Sequence, residues 1–120
     1  MSNKIAPEVK ELRRKWLRAL RSGRYKQGRG VLCRIIDDNR YEYCCLGVLC
    51  ISLRQPMKKY EYKDNLMKFG KYEVIYCLDD ETQEKLEISH NMVDKLMDMN
   101  DGGKSFKEIA DYLEKIWNMA

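Results

Sequence analysis

An uncharged run of ten residues, Cys44–Leu53, constrains the fold more than any other feature of this chain. Leucines recur in it at helical spacing and β-branched residues fill the opposite side, so the run predicts a short helix, residues 45–53, that is apolar nearly all round. Such a helix is stable only when other elements cover it on every side. The sequence therefore predicts that it forms the centre of the core. Gly47 within it costs about 1 kcal/mol relative to alanine, which indicates close packing at that point.

The size and composition of the chain indicate one domain, residues 1–120. A chain of 120 residues can bury a core of its own, and 44% of these residues are apolar against 35% that are charged. No apolar run approaches the roughly 20 residues needed to cross a bilayer, and residues 1–7 contain no apolar signal segment. We therefore expect a cytoplasmic protein with no membrane partner.

The cysteine pattern predicts reduced, largely buried thiols. The number is odd and the neighbours are mostly apolar, whereas a secreted disulfide framework normally has an even number in a loop-rich chain. Structural zinc usually requires two close pairs of ligands, and the spacing here does not supply them, so we expect no metal and no cofactor. The cysteines are Cys33, Cys44, Cys45, Cys50 and Cys77.

No catalytic motif is recognisable in the sequence. The single histidine, His90, lies in a polar stretch typical of a helix start and has no cysteine beside it. The acidic clusters at 37–38 and 79–81 coincide with a predicted turn and a predicted helix start, where acids are common. No phosphate-binding Walker loop occurs. We therefore expect a protein that binds, not an enzyme.

The remaining patterns predict an α+β fold, with a small antiparallel sheet covered by about three to five short helices. Ser105 and Glu108 form a capping-box pair in front of the clearest amphipathic stripe, whereas residues 55–70 give no clear prediction. The predicted strands are 31–36, 41–44 and 72–78. The predicted helices are 7–21, 45–53 and 106–117, with two shorter ones from Asp79-Asp80 to about Leu86 and from Met92 to Met99.

Positive charge is concentrated near the N-terminus. Residues 1–34 contain eleven Lys or Arg and two Glu, a balance of +9, whereas residues 35–120 carry twelve basic and seventeen acidic residues, a balance of −5. The polar loop 24–30 combines three cations with two glycines. Arginine forks suit phosphate oxygens, and glycines let backbone N–H groups approach an anion, so the loop predicts an anion-binding site. A basic flank of the first helix, at Lys10, Arg14, Arg18 and Arg21, is equally consistent with a solvated face.

The predicted ligand-binding residues centre on this loop. Its cations would contact phosphates, its glutamine would hydrogen-bond, and nearby tyrosines could stack on a base. An Asn-Asp pair at a predicted helix stop could face the ligand or be purely structural. The predicted set is Arg24, Tyr25, Lys26, Gln27, Arg29, Arg34, Tyr43, Asn100 and Asp101.

Three sequence blocks are distinctive. They are Leu20–Gly30, Tyr43–Cys50 with the sequence Tyr-Cys-Cys-Leu-Gly-Val-Leu-Cys, and Asn100–Asp111, which begins Asn-Asp-Gly-Gly-Lys-Ser-Phe. In this order they resemble a family of small proteins encoded by phages and prophages. The second block is the most specific, and the three span about two-thirds of the chain. The resemblance implies a viral or mobile-element origin and a host cytoplasm, and it implies no reaction.

Small phage proteins of this kind often resemble counter-defence factors. The leading hypothesis is therefore sequestration of a small anionic signalling nucleotide, of the cyclic or ADP-ribose type, without catalysis. One alternative is an inhibitor that binds a host defence protein directly, and another is a nucleic-acid-binding accessory protein, which the basic helix flank would suit. A pocket lined by residues 24–29 would favour the first hypothesis, and an exposed apolar patch would favour the inhibitor.

Overall fold

A computed structural model describes residues 5–119, and within them it shows five helices and two small sheets. The predicted α+β class is confirmed. No helix in this span is both long and apolar enough to cross a membrane. The helices are α1 Pro7–Arg21, α2 Cys45–Ser52, α3 Asp80–Leu86, α4 His90–Asp101 and α5 Phe106–Ile116. The strands are β1 Lys26–Gln27, β2 Cys33–Asp37, β3 Arg40–Tyr43, β4 Met57–Lys59 and β5 Met67–Phe69.

The two sheets are built from short hairpins. β2 and β3 pair in antiparallel fashion, and the two-residue β1 adds to the other side of β3 in parallel, giving the order β1-β3-β2. β4 and β5 form a separate antiparallel hairpin. A bridge between Arg34 and Leu66 joins this second hairpin to β2. The β4–β5 hairpin comes from the segment for which the sequence patterns made no prediction.

The predicted central helix, α2, is buried as expected. Leu46 and Leu49 are fully buried, and α1 contributes Trp16, whose Nε1 donates to the Cys45 carbonyl at 2.9 Å. Gly47 faces the backbone that leads into β2, and a Cβ placed on it would lie 1.9 Å from the Leu32 carbonyl oxygen. The glycine therefore lets the helix lie directly against the neighbouring chain.

A buried arginine joins α1 to α3 and α5. Arg13 donates from Nε to the Leu86 carbonyl at 3.0 Å and from Nη2 to the Glu87 carbonyl at 3.1 Å, while its guanidinium lies 4.3 Å from the Trp117 ring. These carbonyls end α3, where the helix dipole favours a cation. Burial lowers the pKa of Arg13, and the nearby Glu87 carboxylate opposes that shift.

The predicted strand at 72–78 is wrong. The Glu73 N–H donates to the Gly70 carbonyl at 3.2 Å in a turn, and Glu73 has a φ of 52°, which side-chain-bearing residues rarely adopt. Lys68 holds the Glu73 carboxylate at 2.6 Å. Pairing in this segment is reduced to one bridge, between Val74 and Phe69. The third strand of the larger sheet is β1 instead.

The thiol prediction holds for four cysteines and fails for Cys77, which follows this turn segment and is exposed. Burial raises the pKa of Cys44 to about 11 and that of Cys33 to about 12. Such thiols keep their protons at neutral pH, and because the thiolate is the reactive form they are poor nucleophiles.

Candidate functional site

The basic loop and the Asn-Asp-Gly-Gly block meet in one hydrogen-bond network centred on Asn100, which is 1% exposed. Its Oδ1 accepts from Gln27 Nε2 at 2.8 Å and from the Cys45 N–H at 3.1 Å. Its Nδ2 donates to the Gly28 carbonyl at 2.8 Å and to Asp101 Oδ1 at 3.2 Å. These five residues are referred to below as the Asn100 network. It fixes β1 against the start of α2 and the end of α4.

Gln27 extends the network to the last helix. Its Nε2 also donates to the Lys104 carbonyl at 2.8 Å, and its Oε1 accepts from the Phe106 N–H at 3.2 Å. Both Gln27 and Asn100 were predicted to contact a ligand. Because their donors and acceptors are occupied inside the protein, we assign them a structural role.

The loop glycines serve packing, which differs from the expectation that they expose N–H groups to an anion. A Cβ on Gly28 would lie 2.7 Å from Glu42 Cβ, and Gly30 has a φ of 82°. The Gly28 N–H donates to the Tyr43 carbonyl at 2.7 Å, and the Gly30 N–H donates to Asp101 Oδ1 at 3.1 Å. Both N–H groups are therefore occupied, and the Asp101 carboxylate accepts within the network.

The loop cations lie on the surface of this fixed backbone. Arg24, Lys26 and Arg29 are exposed, and none of them forms an ion pair with any residue of the 5–119 span. Cross-strand register places Lys26 and Arg34 on either side of Glu42 on one face of the sheet. Arg34 Nη1 also approaches the Arg29 carbonyl at 3.4 Å. Arg24, Lys26, Arg29 and Arg34 are referred to below as the basic cluster.

Glu42 is the site residue that the sequence reasoning missed. It lies between Lys26 and Arg34 in the register of the sheet, and its side chain covers Gly28. A carboxylate here weakens the attraction of the basic cluster for an anion. The outward direction of the Glu42 side chain can be inferred because side chains alternate along β3 and the next residue, Tyr43, faces the core.

The tyrosines form a packed group instead of an open stacking surface. The Tyr25 and Tyr43 rings are 5.4 Å apart edge to face, and the Tyr41 and Tyr43 rings are 6.3 Å apart. Tyr43 is 9% exposed, and burial raises its pKa to about 12. Its ring is therefore part of the core, whereas Tyr25 and Tyr41 are half-buried and keep part of their surface accessible.

Part of the basic flank of α1 is neutralised within the protein. Arg18 pairs with Glu11 at 3.3 Å, and Arg21 pairs with Asp111 at 2.7 Å and Glu114 at 3.2 Å. The contacts of Arg21 join α1 to α5. Ion pairs within the protein therefore account for the presence of these two arginines.

Five surface clefts of about 280–520 Å³ lie between elements of the described chain, and none of these five is lined by residues 24–30. The pocket lined by residues 24–29 that would favour nucleotide sequestration is therefore not among these five clefts, and a ligand on the basic cluster would lie outside them. One cleft of about 400 Å³ separates the β4–β5 hairpin from α3 and is lined by four lysines, Lys58, Lys68, Lys71 and Lys85.

These features define a small α+β domain that presents cations on a scaffold held by a buried amide network. The chain belongs to the family described as "Domain of unknown function (DUF8296)", whose model matches residues 7–84, about two thirds of the chain. The matched segment runs from α1 into α3 and includes Gln27 and Gly28, whereas Asn100 lies beyond it. No curated protein and no solved structure matches the chain.

Proposed function

We propose that this protein acts by binding, without catalysis, and that its basic cluster captures a small anionic signalling nucleotide of the cyclic or ADP-ribose type. In a host cytoplasm, such capture would serve a phage as counter-defence. The observation that supports the proposal is the presence of three exposed, unpaired cations, among residues 5–119, on a backbone held by the Asn100 network.

The fixed backbone favours binding because less conformational freedom is lost when the ligand arrives. Arginine forks can each contact two phosphate oxygens, and the half-buried Tyr25, which lies between Arg24 and Lys26 in the chain, could contact a base or ribose. Because the cluster lies outside the five clefts, charge would supply much of the affinity. Binding should therefore weaken as salt is added.

Calorimetric titration with ADP-ribose and with a cyclic dinucleotide tests this proposal. Arg29→Ala should weaken binding about tenfold, as expected for loss of a charge-assisted hydrogen bond. Glu42→Gln should strengthen it, because a carboxylate is removed from between two cations. Arg14→Ala is the matched control, since Arg14 is an exposed arginine on α1 and outside the cluster. Equal losses for Arg14→Ala and Arg29→Ala, or no binding of either nucleotide, would contradict the proposal.

A direct inhibitor of a host protein is the second candidate. Three tyrosines are strongly exposed, Tyr62 at 80%, Tyr72 at 56% and Tyr76 at 49%, and tyrosine is enriched among residues that dominate protein interfaces. Under this alternative, Tyr62→Ala and Tyr72→Ala would abolish association with a host protein. The same variants would leave nucleotide titrations unchanged.

A further inference from the structure

The cleft between the β4–β5 hairpin and α3 has the size of a small-ligand site. Its volume is about 400 Å³, and its lining includes Gln55, Lys58, Gly70, Thr82 and Lys85. None of the residues lining it belongs to the basic cluster or to the Asn100 network. It is therefore a separate place at which the chain could hold a ligand.

Two lysines of this cleft are uncommitted. The other charged residues of its lining are engaged within the protein, because Lys68 and Lys71 form ion pairs with carboxylates and Asp79 accepts the Thr82 N–H at 2.7 Å to cap α3. In contrast, Lys58 and Lys85 form no ion pair within the described part of the chain. Lys68 is held by two carboxylates, Glu73 at 2.6 Å and Glu61 at 3.0 Å, and Lys71 pairs with Glu81 at 3.0 Å.

The cleft also contains an amide oxygen without a donor. Gln55 Nε2 donates to Thr82 Oγ1 at 2.8 Å, whereas Gln55 Oε1 is buried and accepts no hydrogen bond from the residues described. Buried acceptors are normally satisfied, by protein, water or ligand. Gly70 adjoins this oxygen with a φ of 72°, and a Cβ there would lie 3.3 Å from Oε1. A side chain at this position would crowd the unpartnered oxygen, so the glycine lets the end of the β4–β5 hairpin pack closely against Gln55.

We propose that this cleft binds a phosphorylated sugar, with the phosphate held between Lys58 and Lys85 and, once the side chain of Gln55 turns its buried Oε1 toward the cleft, a sugar hydroxyl donating to that oxygen. A hydroxyl both donates and accepts, which suits an amide oxygen next to the Thr82 hydroxyl. Inorganic phosphate supplies the charge without the sugar hydroxyls, and a neutral sugar supplies the hydroxyls without the charge. The site is independent of nucleotide binding at the basic cluster.

Titration of the ¹⁵N-labelled full-length chain with ribose 5-phosphate tests this inference. The amide signals of Gly70 and Thr82 should shift, because both residues line the cleft. Ribose 5-phosphate should bind about tenfold more tightly than inorganic phosphate or ribose, the gain expected from combining a charge-assisted and a neutral hydrogen bond. Inorganic phosphate binding as tightly as the sugar phosphate would overturn the proposal, as would shifts concentrated at residues 24–34.

Surface variants keep the test separate from folding. Lys58→Ala and Lys85→Ala should each weaken binding of ribose 5-phosphate at least about fivefold, since each removes one cation from the phosphate. Lys104→Ala, an exposed lysine that lines a different cleft, should bind like the wild type, and so should Arg29→Ala. Wild-type affinity in both Lys58→Ala and Lys85→Ala would overturn the site. Unchanged binding of ribose 5-phosphate in Arg29→Ala would show that the cleft and the basic cluster are separate sites.

Discussion

At the scale of single residues, Gly47 marks the closest approach between α2 and the chain that leads into β2. Alanine is the better helix former by about 1 kcal/mol, so Gly47→Ala would stabilise an unconstrained helix. Here the new Cβ would lie 1.9 Å from the Leu32 carbonyl oxygen, which belongs to the backbone and cannot rotate away. We expect a loss of about 3 kcal/mol or more in the free energy of unfolding, measured by equilibrium urea denaturation. A loss below about 1 kcal/mol would show that α2 does not contact this backbone.

The buried thiols predict how stability depends on pH. Burial raises the pKa of Cys44 to about 11 and that of Cys33 to about 12, from an ordinary value of 9.0. As the pH rises above 9.0, the unfolded chain loses these protons first, so the free energy of unfolding should fall towards pH 11. Below about pH 8 the thiols should contribute no pH dependence.

Urea denaturation between pH 7 and pH 10.5 measures this dependence. Cys44→Ala should show a shallower fall with pH than the wild type, because one shifted group has been removed. Cys77→Ser is the control, since its side chain is exposed in the folded protein. The same slope in Cys44→Ala as in the wild type would contradict the assignment.

At the scale of elements, Arg13 is a buried contact that helps to hold α3 and α5 to α1. Its guanidinium donates to the Leu86 and Glu87 carbonyls and lies over Trp117. Arg13→Ala should therefore lower the free energy of unfolding by about 2–3 kcal/mol, measured by urea denaturation. The neighbouring, exposed Arg14 provides the control, and Arg14→Ala should change stability by no more than about 0.5 kcal/mol. Equal effects of the two variants would contradict the structural role of Arg13.

The elements that could be predicted from the sequence are those whose signals are local. Pro7 marks the start of α1, and the Ser105–Glu108 capping box marks the start of α5. The apolar run predicts α2. β1, β4 and β5 contain two or three residues each, too few to show alternation. The segment 72–78 is rich in aromatic and β-branched residues, as strands are, but the turn at Glu73 and its ion pair with Lys68 direct the chain elsewhere.

In the candidate site, too, some residues could be predicted from local sequence, whereas the roles of others depend on distant contacts. Composition was enough to identify Arg24, Lys26 and Arg29 as a group of cations. The structural role of Gln27 depends on Asn100, which lies 73 residues further along the chain, and no local pattern indicates that contact. Both residues therefore looked like ligand contacts in the sequence, because a polar side chain that binds a ligand and one that holds a loop are of the same residue types.

At the scale of the whole molecule, the lopsided charge of the sequence is only partly expressed as a binding surface. Arg21 of the basic N-terminal segment pairs with Asp111 and Glu114 of the acidic remainder, which joins α1 to α5. Cations without an ion pair among the described residues remain on α1, at Lys10, Arg14 and Lys15, and at the basic cluster, where the Asn100 network fixes the backbone. Structural and solvent-exposed polar residues are thus separated within one loop, with Gln27 directed inward and Lys26 outward.

Parallel measurement of ADP-ribose affinity and melting temperature in Arg29→Ala and Asn100→Ala tests this separation most directly. Arg29→Ala should lose about tenfold in affinity, equivalent to about 1.4 kcal/mol, and should keep the wild-type melting temperature because its side chain is exposed. Asn100→Ala should melt several degrees lower, because it leaves the buried Cys45 N–H and Gly28 carbonyl without their partner. If Arg29→Ala instead lowers the melting temperature as much as Asn100→Ala, or binds ADP-ribose like the wild type, the basic cluster belongs to the scaffold and the account is contradicted.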